Sequence, residues 1–371
     1  MNRLVRATFY GSVAAAALLL GSGQSFAAEP GDFQATLRGA TIGIPLGALP
    51  PPGLYGGLET FIGRGDGQGQ NGAAAGAGPY GKGLTVFGEA IVPSLLWVPG
   101  WNVIGADVGF AVIQPFYTVA GFSTGCVVSG PNPCVGTEPI AFGGGAGAFF
   151  ENMHNTVWSS TLSWNWHNGW FTSVGLDFQG PDGSQYNGTL NQDYWTWSPR
   201  FAVAYFTKEW HLQANFEYDI HTASKGHTGS YAAIAYNTPA GSSFAAPGIG
   251  YTTGNQLFID WSAKYLVGKW QFGPVGYFKF QTTDDSPGSG WTCASLTAHF
   301  GDSLSCGKAT DIALGGLVGL DFGPAELEIY ATDSVYTKDD FKGWSVFTRL
   351  SFKLWGPEAP PAPAKMITKA K

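Results

Sequence analysis

The stretch "EWHLQANFEYDI", Glu209 to Ile220, alternates with almost no exceptions. Trp210, Leu212, Ala214, Phe216, Tyr218 and Ile220 fall on one side, and His211, Gln213, Asn215, Glu217 and Asp219 on the other. A period of two is the mark of a β-strand with two unlike faces. In a soluble sheet the apolar face meets a protein core. In a membrane barrel it meets lipid, and the polar face lines a lumen.

The same two-faced pattern recurs along the chain. In "WFTSVGLDFQ", Trp170, Val174, Leu176 and Phe178 oppose Ser173, Asp177 and Gln179. In "LFIDWSAKYLV", Leu257, Ile259, Trp261 and Tyr265 oppose Asp260, Ser262 and Lys264. In "WSVFTRLSFKLW", Val346, Leu350, Phe352 and Leu354 oppose Phe347, Arg349, Ser351 and Lys353. Twelve such runs are expected, near 53–62, 84–97, 103–119, 156–166, 170–179, 195–207, 209–220, 256–267, 269–282, 310–322, 324–335 and 344–355.

Their connections alternate in length. Short ones such as "WVPGW", "WHNGW", "TKEW", "VGKW" and "DFGPAE" interleave with long ones at 63–83, 120–155, 180–194, 221–255, 283–309 and 337–343. This sorting places every tight turn at one end of a sheet and every long loop at the other, the layout of short periplasmic turns and long external loops. Asn168-Gly169 is the clearest hairpin signal, because both residues suit a type I′ turn. Trp97, Trp101, Trp166, Trp170, Trp210, Trp270 and Trp355 lie beside tight turns or at the last strand end, where an interfacial girdle belongs. Within hydrocarbon only a closed cylinder satisfies every backbone N–H and C=O. The expected fold is therefore an all-β antiparallel transmembrane barrel of about twelve strands, with its apolar face toward lipid.

The N-terminus sets the compartment. Arg3 and Arg6 precede a short apolar run from Val13 to Leu20, and Ser25-Phe26-Ala27 offers small residues for cleavage after Ala27. Removing residues 1–27 as a signal peptide leaves 17 basic against 26 acidic side chains, a net charge of −9. No basic patch suggests nucleic acid. After the signal no apolar run is long enough for a transmembrane helix. Cys126 with Cys134 and Cys293 with Cys306 form two local pairs, which in an exported chain read as two disulfides within loops. Their spacing does not suit zinc, and no cofactor or metal is expected. Residues 28–52 are expected to be an N-terminal periplasmic segment, 53–355 the barrel, and 356–371 a Pro/Ala-rich flexible periplasmic tail.

Several stretches, in their order, resemble the outer-membrane family of the phenol meta-degradation pathway. They are "ALPPPGLYGGLE" (48–59), "LTVFGEAIVPSLLWVPGWNVIGADVGFAVIQP", "LSWNWHNGWFTSVGLDFQGPDGSQYN", "YWTWSPRFAVAYFTKEWHLQANFEYDIHT" and "TGNQLFIDWSAKYLVGKWQFGPVGYFKFQTTDD". The resemblance spans roughly 48–355 and implies an outer-membrane barrel that admits hydrophobic or aromatic compounds. It transfers no functional residue.

Positions expected to line the lumen are Glu59, Glu89, Asp107, Asp177, Arg200, His211, Glu217, Asp219, Asp260, Lys264, Lys279, Arg349 and Lys353, together with Asp311, Asp321, Glu326 and Glu328. Such groups either hold water and favour cations or pair across a narrow bore. Tyr194, Trp195 and Trp197 are candidates for an external aromatic capture site. Asp284-Asp285 resembles a carboxylate pair, yet no nucleophile–histidine pattern accompanies it, so no enzyme is expected. "GRGDGQGQNG" (63–72) reads as a Gly-rich external loop. The expected activity is passive diffusion of hydrophobic or aromatic small molecules, with a non-specific porin or a structural barrel as alternatives. Expected partners are outer-membrane lipid, the barrel-assembly machinery and those solutes.

Overall fold

The computed structural model describes residues 35–68, 81–129, 132–143, 152–183, 194–223, 251–287, 292, 294 and 307–357. Twelve staves form the wall. They are β1 (Gly53–Gln68), β2 (Gly81–Val98), β3 (Ala106–Ile113 continued by Phe116–Ser129), β4 (Val157–Asn165), β5 (Trp170–Gln179) and β6 (Thr196–Phe206). They continue as β7 (Trp210–His221), β8 (Gln256–Val267), β9 (Trp270–Gln281), β10 (Thr310–Asp321), β11 (Ala325–Lys338) and β12 (Asp340–Trp355). Each pairs antiparallel with its chain neighbours, and β1 also pairs with β12 from Leu54↔Trp355 to Gln68↔Asp340. The sheet closes on itself, and no stave is left with a free edge.

The alternation seen in the sequence is realised on the wall. In β7 His211, Gln213, Asn215, Glu217, Asp219 and His221 are buried inside, while Trp210, Leu212 and Ile220 are exposed on the outside. All seven expected girdle tryptophans are exposed at the short-turn end. Several pair with neighbouring rings, as in Trp170–Tyr205 at 4.6 Å and Trp210–Tyr265 at 4.9 Å. Trp158, Trp195 and Trp197 form an opposite belt at the long-loop end. An apolar band between two aromatic rings is the lipid-facing surface of an outer-membrane barrel.

Three expected loops prove to be strand. Gly63–Gln68 extends β1, so the "GRGDGQ" stretch is wall rather than loop. Residues from Ala120 onward continue β3 to Ser129, and Asn132–Gly143 folds back on it as a further strand. Residues 337–343 are mostly paired, and Asp339 alone links β11 to β12 at φ 51°. Glycine carries no hydropathy signal, which is why these extensions escape a periodicity reading.

The Asn168-Gly169 turn forms, but with three positive-φ residues, His167 (65°), Asn168 (51°) and Gly169 (89°). Asn168 and Gly169 are its two central residues, closed by the Trp170 N–H donating to His167 O (3.1 Å), and His167 adds a third positive φ ahead of them. A Cβ on Gly169 would stand 2.1 Å from the Phe206 carbonyl oxygen, so only glycine fits there. Of the expected disulfides, Cys293 and Cys306 lie outside the described residues. Cys126 and Cys134 lie on the paired strands Phe116–Ser129 and Asn132–Gly143, with their side chains outside the description. Residues 1–34 and 358–371, and with them the signal and tail, also lie outside it.

Candidate functional site

Residues 35–50 do not hang below the barrel as a periplasmic segment. They run inside it. Counted from Gly53 at the periplasmic start of β1, the chain turns back into the lumen and climbs until Ala35 accepts a hydrogen bond from Gln179 Nε2 (3.2 Å), at the outer end of β5. The stretch "ATLRGATIGIPLGALP" suits this path, being small, apolar and turn-rich, with Arg38 as its one ion. Gly39 (φ 78°) and Gly43 (φ 81°) make its bends. A Cβ on Gly43 would fall 2.6 Å from Glu328 Oε2.

The wall holds this plug mainly by its backbone. Ser163 Oγ donates to Gly47 O (2.7 Å), Ser173 Oγ to Leu46 O (2.8 Å), and Lys264 Nζ to Gly43 O (3.0 Å). Asn215 Nδ2 donates to both Thr41 O (2.9 Å) and Ile44 O (3.0 Å). Thr41 in turn donates its N–H and hydroxyl to one Asp260 oxygen, and Thr36 its hydroxyl to Glu217 (2.9 Å). From the other side Tyr330 OH donates to Gly39 O (3.0 Å), and Arg349 to the carbonyls of Ala40 and Ile42.

Two buried ionic clusters frame these contacts. In one, Arg349 pairs with Glu59 and with Glu328 (3.3 Å), and Lys264 pairs with Glu328 (2.6 Å). In the other, Arg38 of the plug bridges Asp311 and Asp340 (3.2 Å), and Lys279 also holds Asp340 (2.8 Å). Burial works against the Arg38 charge, and the Asp311 and Asp340 carboxylates beside it offset that cost. Buried charges persist only when paired in this way.

Most of the residues expected to line the lumen are buried and pair with one another or bond the plug. Asp177 pairs with Arg200 (2.8 Å), Asp219 accepts from Ser198 (2.6 Å), and His211 packs on Phe206 with ring centres 4.5 Å apart. Glu326 accepts from Gln271. Asp107 lies at the periplasmic mouth opposite Ser163, and Lys353 at the same mouth donates to Pro357 O (3.2 Å).

Glu89 is a correction. It stands in register with the outward-facing Ile62, while its neighbour Ala90 is buried inside. Its strand is apolar on both faces, so sequence parity could not orient it. The aromatic capture trio is also divided. Tyr194 is buried against His221 (5.4 Å), whereas Trp195 and Trp197 point outward against Phe178 (5.0 and 4.5 Å). Strand alternation forbids the three from converging.

Sequence reasoning missed Ser163, Ser173 and Asn215 as plug-holding residues, and Arg38 altogether. Its signal was the lone cation among the spaced glycines of 35–50. Asp284 and Lys308 form a loose exposed pair at 3.8 Å, and among the described residues no metal-ligating cluster occurs.

A family model described as a putative MetA-pathway of phenol degradation matches residues 64–350. The chain belongs to this family. Among solved structures, an outer membrane channel from Pseudomonas putida F1 has the same fold. The TM-score is 0.58 at 10% identity, over 82% of this chain and 96% of that one. The β domain of the Bordetella autotransporter BrkA superposes with a TM-score of 0.41 at 13% identity, over 81% and 99% of the two chains. A deletion mutant of the monoaromatic hydrocarbon channel TodX gives 0.36 at 8%, over 90% and 98%. A search of the curated proteins finds no match. This member of the phenol-degradation family is thus a closed twelve-stave cylinder whose lumen holds part of its own chain.

Proposed function

We propose that this barrel is an outer-membrane channel for passive diffusion of hydrophobic or aromatic small molecules, closed at rest by residues 35–50. The observation that carries this reading is the plug. It fills the lumen of a lipid-facing cylinder, yet among the described residues the wall holds it through wall side chains and pairs no strand with it, so it can leave without breaking the wall. Much of the lumen face beside it is aromatic. Family membership and the fold shared with the Pseudomonas channel support the same reading. Outer-membrane lipid is the partner of the outward face, and assembly falls to the barrel-assembly machinery. The protein is not an enzyme.

The test is liposome swelling and planar-bilayer conductance with purified protein, intact and lacking Ala35–Gly47. Phenol and a sugar serve as solutes. The intact barrel is expected to admit phenol selectively, and the shortened one to conduct ions freely. Equal swelling by phenol and sugar identifies a non-specific porin instead. No passage in either protein leaves only a structural barrel.

A further inference from the structure

One row of lumen residues is fixed by strand register. Tyr117 stands opposite Ala90, Ala90 opposite Phe61, Phe61 opposite Phe347, Phe347 opposite Tyr330, and Tyr330 opposite Leu317. The row slopes toward the periplasm from β3 to β10, as strand tilt in a barrel requires. All six side chains are buried. Phe61 and Phe347 lie 4.8 Å apart, and Phe347 stacks on Tyr330 at 4.7 Å with planes 9° apart.

The rows on either side differ in kind. Immediately below run Val92, Glu59, Arg349 and Glu328, and the Arg349 guanidinium sits 5.2 Å from the Tyr330 ring centre. Immediately above run Gly88, Gly63, Ser345 and Thr332, with the last two hydroxyls 2.7 Å apart. An aromatic shelf therefore lies between an ionic floor and a lintel of small and hydroxylated residues.

The plug contributes two aliphatic side chains to the apolar cluster that contains this shelf. Ile42 belongs to the same buried cluster, and Leu37 packs against it partly buried. If the plug leaves, the shelf loses its apolar cover. Aromatic side chains bury about 150–250 Å² each, so bare rings facing lumen water are unfavourable. A polar solute cannot replace the lost cover, whereas a planar aromatic ring can. A ring hydroxyl finds both donor and acceptor at Thr332 and Ser345.

The geometry points to this shelf as a binding site for small monocyclic aromatic solutes, which take the place of Leu37 and Ile42 in the cluster that holds Phe61, Phe347 and Tyr330 and so expel the plug. The inference rests on the channel reading and adds to it the residues that bind and the contact that competes.

The test uses the full-length barrel in lipid nanodiscs, titrated with 4-fluorophenol and followed by fluorine NMR linewidth, with empty discs as baseline. Phe347→Leu is expected to weaken binding roughly threefold to tenfold, the range set by loss of one aromatic pair. The double variant Leu37→Ala/Ile42→Ala is expected to tighten it by about tenfold, because the competing cover is removed. Phe201→Leu, on the outward face of β6, is expected to change nothing. The plug variant leaves the wall intact and keeps the test decisive even where Phe347→Leu fails to fold. Equal affinity in the wild type and the plug variant, or no broadening beyond that of empty discs, overturns the site. Binding that follows this pattern without phenol-driven swelling overturns the channel reading and leaves the site standing.

Discussion

The two halves of the lumen wall hold the same sixteen-residue stretch in different ways. On β4 to β8 the grip is mainly polar: Ser163, Ser173, Asn215, Asp260 and Lys264 bond the backbone of the plug or its Thr41, beside a small contact of Phe171 and Ala204 with Ala48. On β9 to β12 and β1 to β3 the inward residues are Val275, Tyr277, Leu317, Tyr330, Phe347, Phe61, Ala90 and Tyr117, one apolar cluster that takes in its Ile42 and Leu37, with Tyr330 also donating to the Gly39 carbonyl. A backbone grip is indifferent to what the plug carries, whereas a side-chain grip is selective. One half fixes where the segment lies, and the other decides what can take its place. Arg349 joins the two modes, reaching plug carbonyls from the aromatic half while anchored to Glu59 and Glu328.

That contrast can be broken outright by removing Ala35–Gly47. Single-channel conductance is expected to rise roughly tenfold or more, as the bore of an emptied twelve-stave barrel allows. Unchanged conductance would mean that another element closes the lumen. Replacing Arg349 with Met strips the joint between the halves and leaves buried Glu59 without its cation, while Glu328 keeps Lys264, a loss of about 3–5 kcal/mol. Urea unfolding in lipid vesicles measures it, and a loss below about 1 kcal/mol would show that the cluster relaxes on its own.

Asn215→Ala tests the polar half. It removes the side-chain donor of the Thr41 and Ile44 carbonyls, each of which keeps a backbone donor, so two hydrogen bonds are lost at roughly 0.5–1.5 kcal/mol each. The plug should become more open to protease while the barrel keeps its heat-modifiable migration. Smallest is Ser173→Ala, which removes one hydroxyl bond worth roughly 0.5–1.5 kcal/mol. An effect of Ser173→Ala on aromatic binding as large as that of Phe347→Leu would erase the division of labour between the halves.

Much of the wall was legible because period-two alternation survives wherever the lumen face is polar. β5 and β8 fall on their expected residues, and the short turns fall between the expected tryptophans. Legibility failed where the two faces stopped differing. In β2 both faces are apolar, so Glu89 was turned inward on paper and outward in space. In β1 the residues from Gly63 to Gly67 are largely glycine, so strand read as loop. The plug was illegible for another reason. A segment that satisfies its backbone against distant side chains has no local period to betray it, and Arg38 finds its partners Asp311 and Asp340 only through closure of the barrel.

The direction of the buried stretch constrains how this polypeptide can be handled. Gly53 opens the first stave at the periplasmic rim, whereas Ala35 rests beside Gln179 near the opposite rim, so the chain doubles back through its own bore. Reporter or affinity fusions attached upstream of Ala35 therefore join the chain at the outer end of the bore rather than at its periplasmic mouth. Fusions belong after Trp355, which stands at the periplasmic edge, where added mass leaves the bore untouched.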